Sequence, residues 1–266
     1  GLTLLQGRLR VVRQMSFGGL SAIYLCQENG KDLVVLKESV IPADSRPEIR
    51  QKAEELFARE SRFLMRLEHD RIVKVMDYFV ESGRNYMLLE YINGQDLRQF
   101  VKQHGPCDEQ TALLWLSQIC DIVAYLHEQD PPVIHRDLTP DNVVLSEGGT
   151  LKLIDFGAAN ELIGTATGTL IGKQSFISPE QLRGKATTSS DIYALGCSMY
   201  YLLTGEDPEP LSVSSPKSAC AQVSDEFSAL VEQCTDMEAA ARPASAAELK
   251  KRVDDLLDRR KARQPM

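Results

Sequence analysis

The sequence predicts an α+β protein built as two lobes with a cleft between them. The first ninety residues alternate short β-like runs with a single helical segment, whereas after Asn93-Gly94 the pattern becomes mostly helical. Over 266 residues, 43% apolar and 26% charged is also the composition of a chain that buries a core. The lobes are expected at residues 1–92 and 93–266.

In order, the β-like runs are Leu9 to Val12, Ile23 to Cys26, Leu33 to Lys37, Val73 to Phe79 and Tyr86 to Glu90. Between the third and fourth lies a helix from about Pro47 to Leu67. Pro47 stands in its first turn, where a missing N–H costs nothing, and Ile49, Ala53, Leu56, Phe57, Phe63, Leu64 and Leu67 form one stripe. Beyond the break, Asp108 is an N-cap residue, and Ala112, Trp115, Leu116, Ile119, Val123 and Leu126 recur at helical spacing as far as His127. Tyr193 to Leu203 and Phe227 to Cys234 read as further buried helices. Ser245, with Glu248 three residues on, is a capping box that opens the last one.

A formal charge of −8 and a pI near 5.2 argue against nucleic acid as a partner. The basic residues from Lys250 onward read as a solvated helix face. Six cysteines without a C-x-x-C pair point to reduced thiols in a cytoplasmic compartment. No apolar run is long enough to span a membrane and no signal pattern opens the chain. The absent initiator Met reads as a processed chain or as the cytosolic part of a larger protein. His69, His104 and His127 lack metal-ligand spacing, and His69 and His127 are expected to be structural.

The segment Met15 to Ile23 lies between two predicted strands, where a turn can fold backbone N–H groups over an anion. Its G-x-G-x-x-G positions fall on Ser16, Gly18 and Ser21, so alone it reads as an ordinary hairpin turn sooner than as a phosphate cradle. Lys37, after Val34, Val35 and Leu36, reads alone as an edge charge facing solvent, and Glu60 as a solvated helix carboxylate. Turned inward, that ammonium would suit phosphate oxygens and would need a carboxylate such as Glu60. Further along stand His135-Arg-Asp-Leu-Thr-Pro-Asp-Asn142, then Asp155-Phe-Gly157, Ser178-Pro-Glu180, Asp191-Ile-Tyr-Ala-Leu-Gly196 and Arg242.

In these motifs and their order the chain resembles the eukaryotic-type (Hanks-type) protein kinase family, in its serine/threonine branch, from about Leu9 to Leu257. The resemblance implies a bilobal kinase-like fold, with a small antiparallel β-sheet lobe carrying one helix and a larger helical lobe. It implies transfer of the ATP γ-phosphate to Ser or Thr of protein substrates, with Mg²⁺, or Mn²⁺ in its place, held by Asn142 and Asp155. Asp137 would accept the hydroxyl proton, and Lys37, fixed by Glu60, would hold the α/β-phosphates. Met15, Ser16, Gly18, Gly19, Ser21, Ile23, Val35, Leu89, Glu90, Ile92, Asp96 and Val144 would line the nucleotide. Leu89 would be the gatekeeper, backbone groups of Glu90 and Ile92 would bond adenine, and Asp96 would reach the ribose.

The departures from the family pattern are as informative as the matches. Serines replace two loop glycines, and Val35 replaces a usual alanine. The family's lysine two residues after the catalytic aspartate is here Thr139, while Lys173 stands where the family has a threonine. Against that pattern, Lys173 is expected to reach back to Asp137 with Thr139 as its hydroxyl partner, the alternative being a solvent-facing Lys173 and a Thr139 that marks weakened catalysis. Arg136 would receive a phosphate from Thr169, or from Thr167 or Thr165, after autophosphorylation, for which dimerisation is one route. A pseudokinase acting as a scaffold or allosteric partner is the alternative reading. Tyr193 and Thr204-Gly-Glu-Asp-Pro208 resemble bacterial members.

Overall fold

Residues 2–18, 21–41, 45–155 and 174–263 are described by a computed structural model. They fall into two units that meet in sequence at Asn93 and Gly94. The first unit is an antiparallel sheet of six strands: β1 (Thr3–Leu4), β2 (Leu9–Gly18), β3 (Ser21–Glu28), β4 (Asp32–Ser39), β5 (Val75–Glu81) and β6 (Arg84–Glu90). Their order is β1-β2-β3-β4-β6-β5.

Register decides which side chains share a face, because alternate residues point to opposite sides. Ile23, Lys37 and Met87 form one cross-strand row, and Leu25, Val35 and Leu89 form the next on the same face. The opposite face carries Cys26, Val34, Leu36, Tyr86 and Leu88, which join Leu4 and Leu9 in a buried core. Strand β1 is too short to show a period and was not expected. Ser16–Gly18 and Ser21–Ala22, expected as a turn between strands, are instead ladder residues, with register shifts between Val11 and Arg13 and between Gln14 and Ser16.

The helix α1 (Pro47–Leu64) buries Ala53, Phe57, Ser61 and Leu64. It ends short of Leu67 because Arg66 N–H and Leu67 N–H donate to Phe63 O and Leu64 O, a tighter i to i−3 closure. Ile49, expected in its buried stripe, lies in the first turn and is exposed.

The second unit combines a small sheet, β7 (Gly94–Asp96), β8 (Val143–Ser146) and β9 (Leu151–Leu153), with a set of helices. These are α2 (Leu97–His104), α3 (Glu109–His127), α4 (Pro179–Leu182), α5 (Thr188–Thr204), α6 (Pro216–Ala219), α7 (Asp225–Cys234) and α8 (Ala246–Arg263). Asp108 caps α3 by accepting from Thr111 N–H at 2.9 Å, and the whole expected stripe of α3 is buried. Helix α3 packs against α5 and α8, and α5 against α7. Ser245 caps α8 as expected, but Glu248 accepts from Ala244 N–H at 2.8 Å, one residue upstream of the simple capping box. The basic end of α8 is not wholly solvated, since Arg260 pairs with the buried Glu109 at 2.5 Å. No described helix is long and apolar enough to cross a membrane.

Gly94 has a steric reason for lacking a side chain. A Cβ there would lie 2.2 Å from the carbonyl oxygen of Leu145, a backbone atom of the paired strand. Gly94→Ala is therefore expected to destabilise the chain by about 1–3 kcal/mol through overpacking. A thermal melt measures this, and an unchanged midpoint would contradict it.

Candidate active site

In the first unit, Lys37 sits on an interior strand and is only 6% exposed, so the edge-charge reading is overturned. The cross-strand rows put Ile23, Val35, Lys37 and Leu89 on one face of the sheet. Tyr78 pairs with Met87 and so shares that face, and Phe57 of α1 packs on Tyr78 with ring centroids 6.2 Å apart. Helix α1 therefore covers the Lys37 side of the sheet. Glu60, one turn beyond Phe57, lies along the same side of α1 with its Oε1 buried. Glu90 N–H donates to Lys74 O at 3.0 Å, and its carboxylate accepts from Lys74 N–H at 2.9 Å.

In the second unit the sequence His135 to Asn142 forms a tight turn that closes in a 3-10 segment, Pro140–Asn142. Asn142 Nδ2 donates to both the carbonyl (2.7 Å) and the carboxylate Oδ2 (2.9 Å) of Asp137, so one amide sets the direction of that carboxylate. Thr139 N–H donates to Asp137 O, and Asn142 N–H to Thr139 O. Ile154 N–H donates to Asn142 O, which ties the turn to the residue before Asp155.

The turn is held from below by α5. Asp191, fully buried, accepts from His135 N–H and Arg136 N–H at 2.8 Å each, and its Oδ2 also lies 2.8 Å from His127 Nε2. Ser198 Oγ donates to Leu138 O at 2.8 Å. Burial pushes the His135 imidazole below its ordinary pKa despite the nearby carboxylates of Asp191, Asp137 and Asp155. Arg136 holds a left-handed φ of 67°, a conformation costly for a residue with a Cβ and held here by the Asp191 bonds to its own N–H and to that of His135.

Beyond the turn, Ser178 caps α4, and Gln181 Nε2 donates to Arg136 O at 2.7 Å. Glu180 meets the buried Arg242 in a two-pronged pair at 2.8 and 3.1 Å, and it accepts from Ser190 Oγ at 2.7 Å. Burial alone would raise the Glu180 pKa, but Arg242 and Ser190 outweigh it and hold the carboxyl at about 2. Arg242 also lies over the Tyr193 ring at 5.0 Å.

The structure thus gathers Asp137, Thr139 and Asn142 in one turn, with Asp155 two residues beyond β9. Asp96 and Val144 are cross-strand partners on β7 and β8, and Asp96 Oδ1 caps α2 at Gln99 N–H. Met15, Ser16, Gly18 and Ser21 lie on β2 and β3, and Ile92 just beyond β6. Gly19, Lys173, Thr165, Thr167 and Thr169 lie outside the described residues. His127 is structural, as expected, but the role of Asp191 and its pairing with His127 were not foreseen. An acid directly before the apolar run Ile192 to Leu203 was the available signal, because a charge buried there requires partners.

A model of the protein kinase domain matches residues 9–265. The serine/threonine-protein kinase PrkC of Bacillus subtilis (strain 168) is 33% identical over 77% of this chain and 31% of its own length. Serine/threonine-protein kinase B of Synechocystis sp. is 32% identical over 79% and 39%. The chain spans about a third of the length of these curated relatives. Among solved structures, the apo form of PpkA-294 superposes with a TM-score of 0.79 at 20% identity, covering 92% of this chain and 96% of that one. The Mycobacterium tuberculosis PknI kinase domain does so with a TM-score of 0.73 at 24% identity, covering 96% and 98%. The fold is the bilobal kinase fold, and the chain belongs to the protein kinase domain family.

Proposed function

We propose that this chain transfers the γ-phosphate of ATP to Ser or Thr hydroxyls of protein substrates, with residues 1–92 and 93–266 as the two lobes of one catalytic unit. The observation that carries this reading is the Asn142 amide bonded to both the carbonyl and the carboxylate of Asp137, in a turn suspended from Asp191. That arrangement aims one carboxylate oxygen and leaves Asn142 Oδ1 turned away from it. The relatives' shared name, serine/threonine-protein kinase, supports the same reading.

Phosphoryl transfer requires positioning and charge neutralisation more than covalent chemistry. Asp137 orients the acceptor hydroxyl and takes its proton. Lys37, on the face that α1 covers, holds the α/β-phosphates, with Glu60 holding Lys37. Ile23, Val35, Leu89 and Val144 supply the apolar contacts to adenine. The Glu90 carbonyl and the Ile92 backbone bond its edge, and Asp96 reaches the ribose. Met15, Ser16, Gly18, Gly19 and Ser21 approach the phosphates. Asn142 Oδ1 and the Asp155 carboxylate are hard oxygen donors of the kind that suit Mg²⁺ or Mn²⁺. The cation, when bound, neutralises charge on the β- and γ-phosphate oxygens.

Thr139 Oγ1 is buried and has no hydrogen-bond partner among the described residues, a state that costs about 1–3 kcal/mol unless a donor supplies one. Lys173 is the proposed donor, restoring a cation beside Asp137. Lys173→Ala is expected to lower kcat by about 10²–10³-fold, and adding Thr139→Lys to recover part of that loss. Steady-state phosphorylation kinetics measure both; an unchanged kcat in Lys173→Ala rejects the exchange of positions. Phosphorylation of Thr169, Thr167 or Thr165 would add a group for Arg136 to bind.

The function as a whole is tested by incubation with γ-labelled ATP, Mg²⁺ and a protein acceptor, followed by phosphoamino-acid identification. Label on serine or threonine is expected, and chelation of the cation should abolish it. Nucleotide binding without any transfer would establish the scaffold reading instead.

A further inference from the structure

Arg98, the second residue of α2, occupies a position that none of the roles above explains. Its Nε donates to Asp141 Oδ2 and its Nη1 to Asp207 Oδ1, each at 2.8 Å. The guanidinium lies 4.4 Å from the ring centroid of Tyr201 on α5 and 5.5 Å from that of Phe176. The side chain is 15% exposed, and Tyr201 Oη donates back to Arg98 O at 3.4 Å. Asp141 is the middle residue of the Pro140–Asn142 segment, directly before the amide that aims Asp137. Phe176 is buried and stands two residues before Ser178, the cap of α4. A single planar cation therefore touches the catalytic turn on one side and the start of the Ser178 to Glu180 platform on the other.

We infer that Arg98 is a positioning residue for phosphoryl transfer, locking the Asp141–Asn142 corner of the catalytic turn to Phe176 and so to the platform that follows it. The inference rests on the kinase reading above. The chemistry requires arginine in particular, because two divergent donors satisfy two carboxylates while the flat face stacks on rings. Lysine offers a point charge that reaches one carboxylate without the stacking plane. Misplacing Asn142 by a fraction of an ångström would re-aim Asp137 and leave the apolar nucleotide contacts of β3, β4 and β6 as they are.

The test compares Arg98→Gln and Arg98→Lys in the full chain. Arg98→Gln is expected to lower kcat by about ten- to a hundredfold with KM for ATP unchanged, and Arg98→Lys to recover part of the loss. Hydrogen exchange supplies a readout that needs no activity: amides in 138–143 and in 174–182 should exchange faster together in Arg98→Gln, with the rest of the chain unaffected. An unchanged kcat, a rise in KM alone, faster exchange in only one of the two segments, or faster exchange throughout the chain would each overturn the inference. If the wild type transfers no phosphate, the kinase reading fails, whereas the exchange comparison still decides whether Arg98 couples the two segments.

Discussion

Asp137→Asn is expected to lower phosphoryl transfer by two to four orders of magnitude while leaving the thermal midpoint close to that of the wild type. The carboxylate accepts from Asn142 Nδ2 at 2.9 Å, and an asparagine side-chain oxygen can accept the same bond, so the turn keeps its shape. What disappears is a group able to take the hydroxyl proton. The turn has independent support from Asp191 and Ser198, whose bonds reach its backbone and not the Asp137 side chain. Single-turnover kinetics with saturating nucleotide isolate the chemical step. Retention of more than about a tenth of the rate would assign the proton transfer elsewhere.

Arg242→Ala carries the largest expected effect on stability. Its side chain is wholly buried, and removal leaves the Glu180 carboxylate, 17% exposed, without its cation. Breaking a buried pair from one side costs about 3–5 kcal/mol. At about 2–4 °C per kcal/mol for a chain of this size, the melting midpoint should fall by roughly 10 °C. The same pair predicts a pH dependence. A Glu180 pKa held at about 2, below its ordinary 4.5, stabilises the fold above the ordinary value, and that contribution is lost as pH falls from 4.5 towards 2. The difference corresponds to about 3 kcal/mol in the wild type. Melts across that window should show a steeper acid loss in the wild type than in Arg242→Ala. Parallel curves would mean that Glu180 does not titrate through this pair.

The β2 to β6 strands were legible because period-two runs of Val, Leu and Ile need only local sequence to be seen. Their extents were not, since ladder bonds carry polar residues such as Gln27, Glu28 and Ser39 into the strands. Strands β7 to β9 have three or four residues each, too few to set a period, and α2 buries only Leu97 and Val101 among its eight residues. The face that Lys37 takes depends on its place in the sheet order, which no local pattern encodes. Asp137, Asn142 and Asp155 were legible as motif residues. The supports of the turn were not, because Asp191 and Arg98 meet it from helices as far as 56 and 43 residues away in the chain, and His127 acts through Asp191. Arg98 looks like an ordinary helix-surface residue until the fold gives it partners.

The central claim, phosphoryl transfer that depends on Asp137, is tested most directly by intact-mass measurement of wild type and Asp137→Asn after incubation with Mg²⁺ and ATP alongside a protein acceptor. The account predicts phosphate added to acceptor or chain by the wild type and none by Asp137→Asn, with nucleotide bound equally by both. Equal phosphate addition by the two proteins, or none by either despite bound nucleotide, would contradict it.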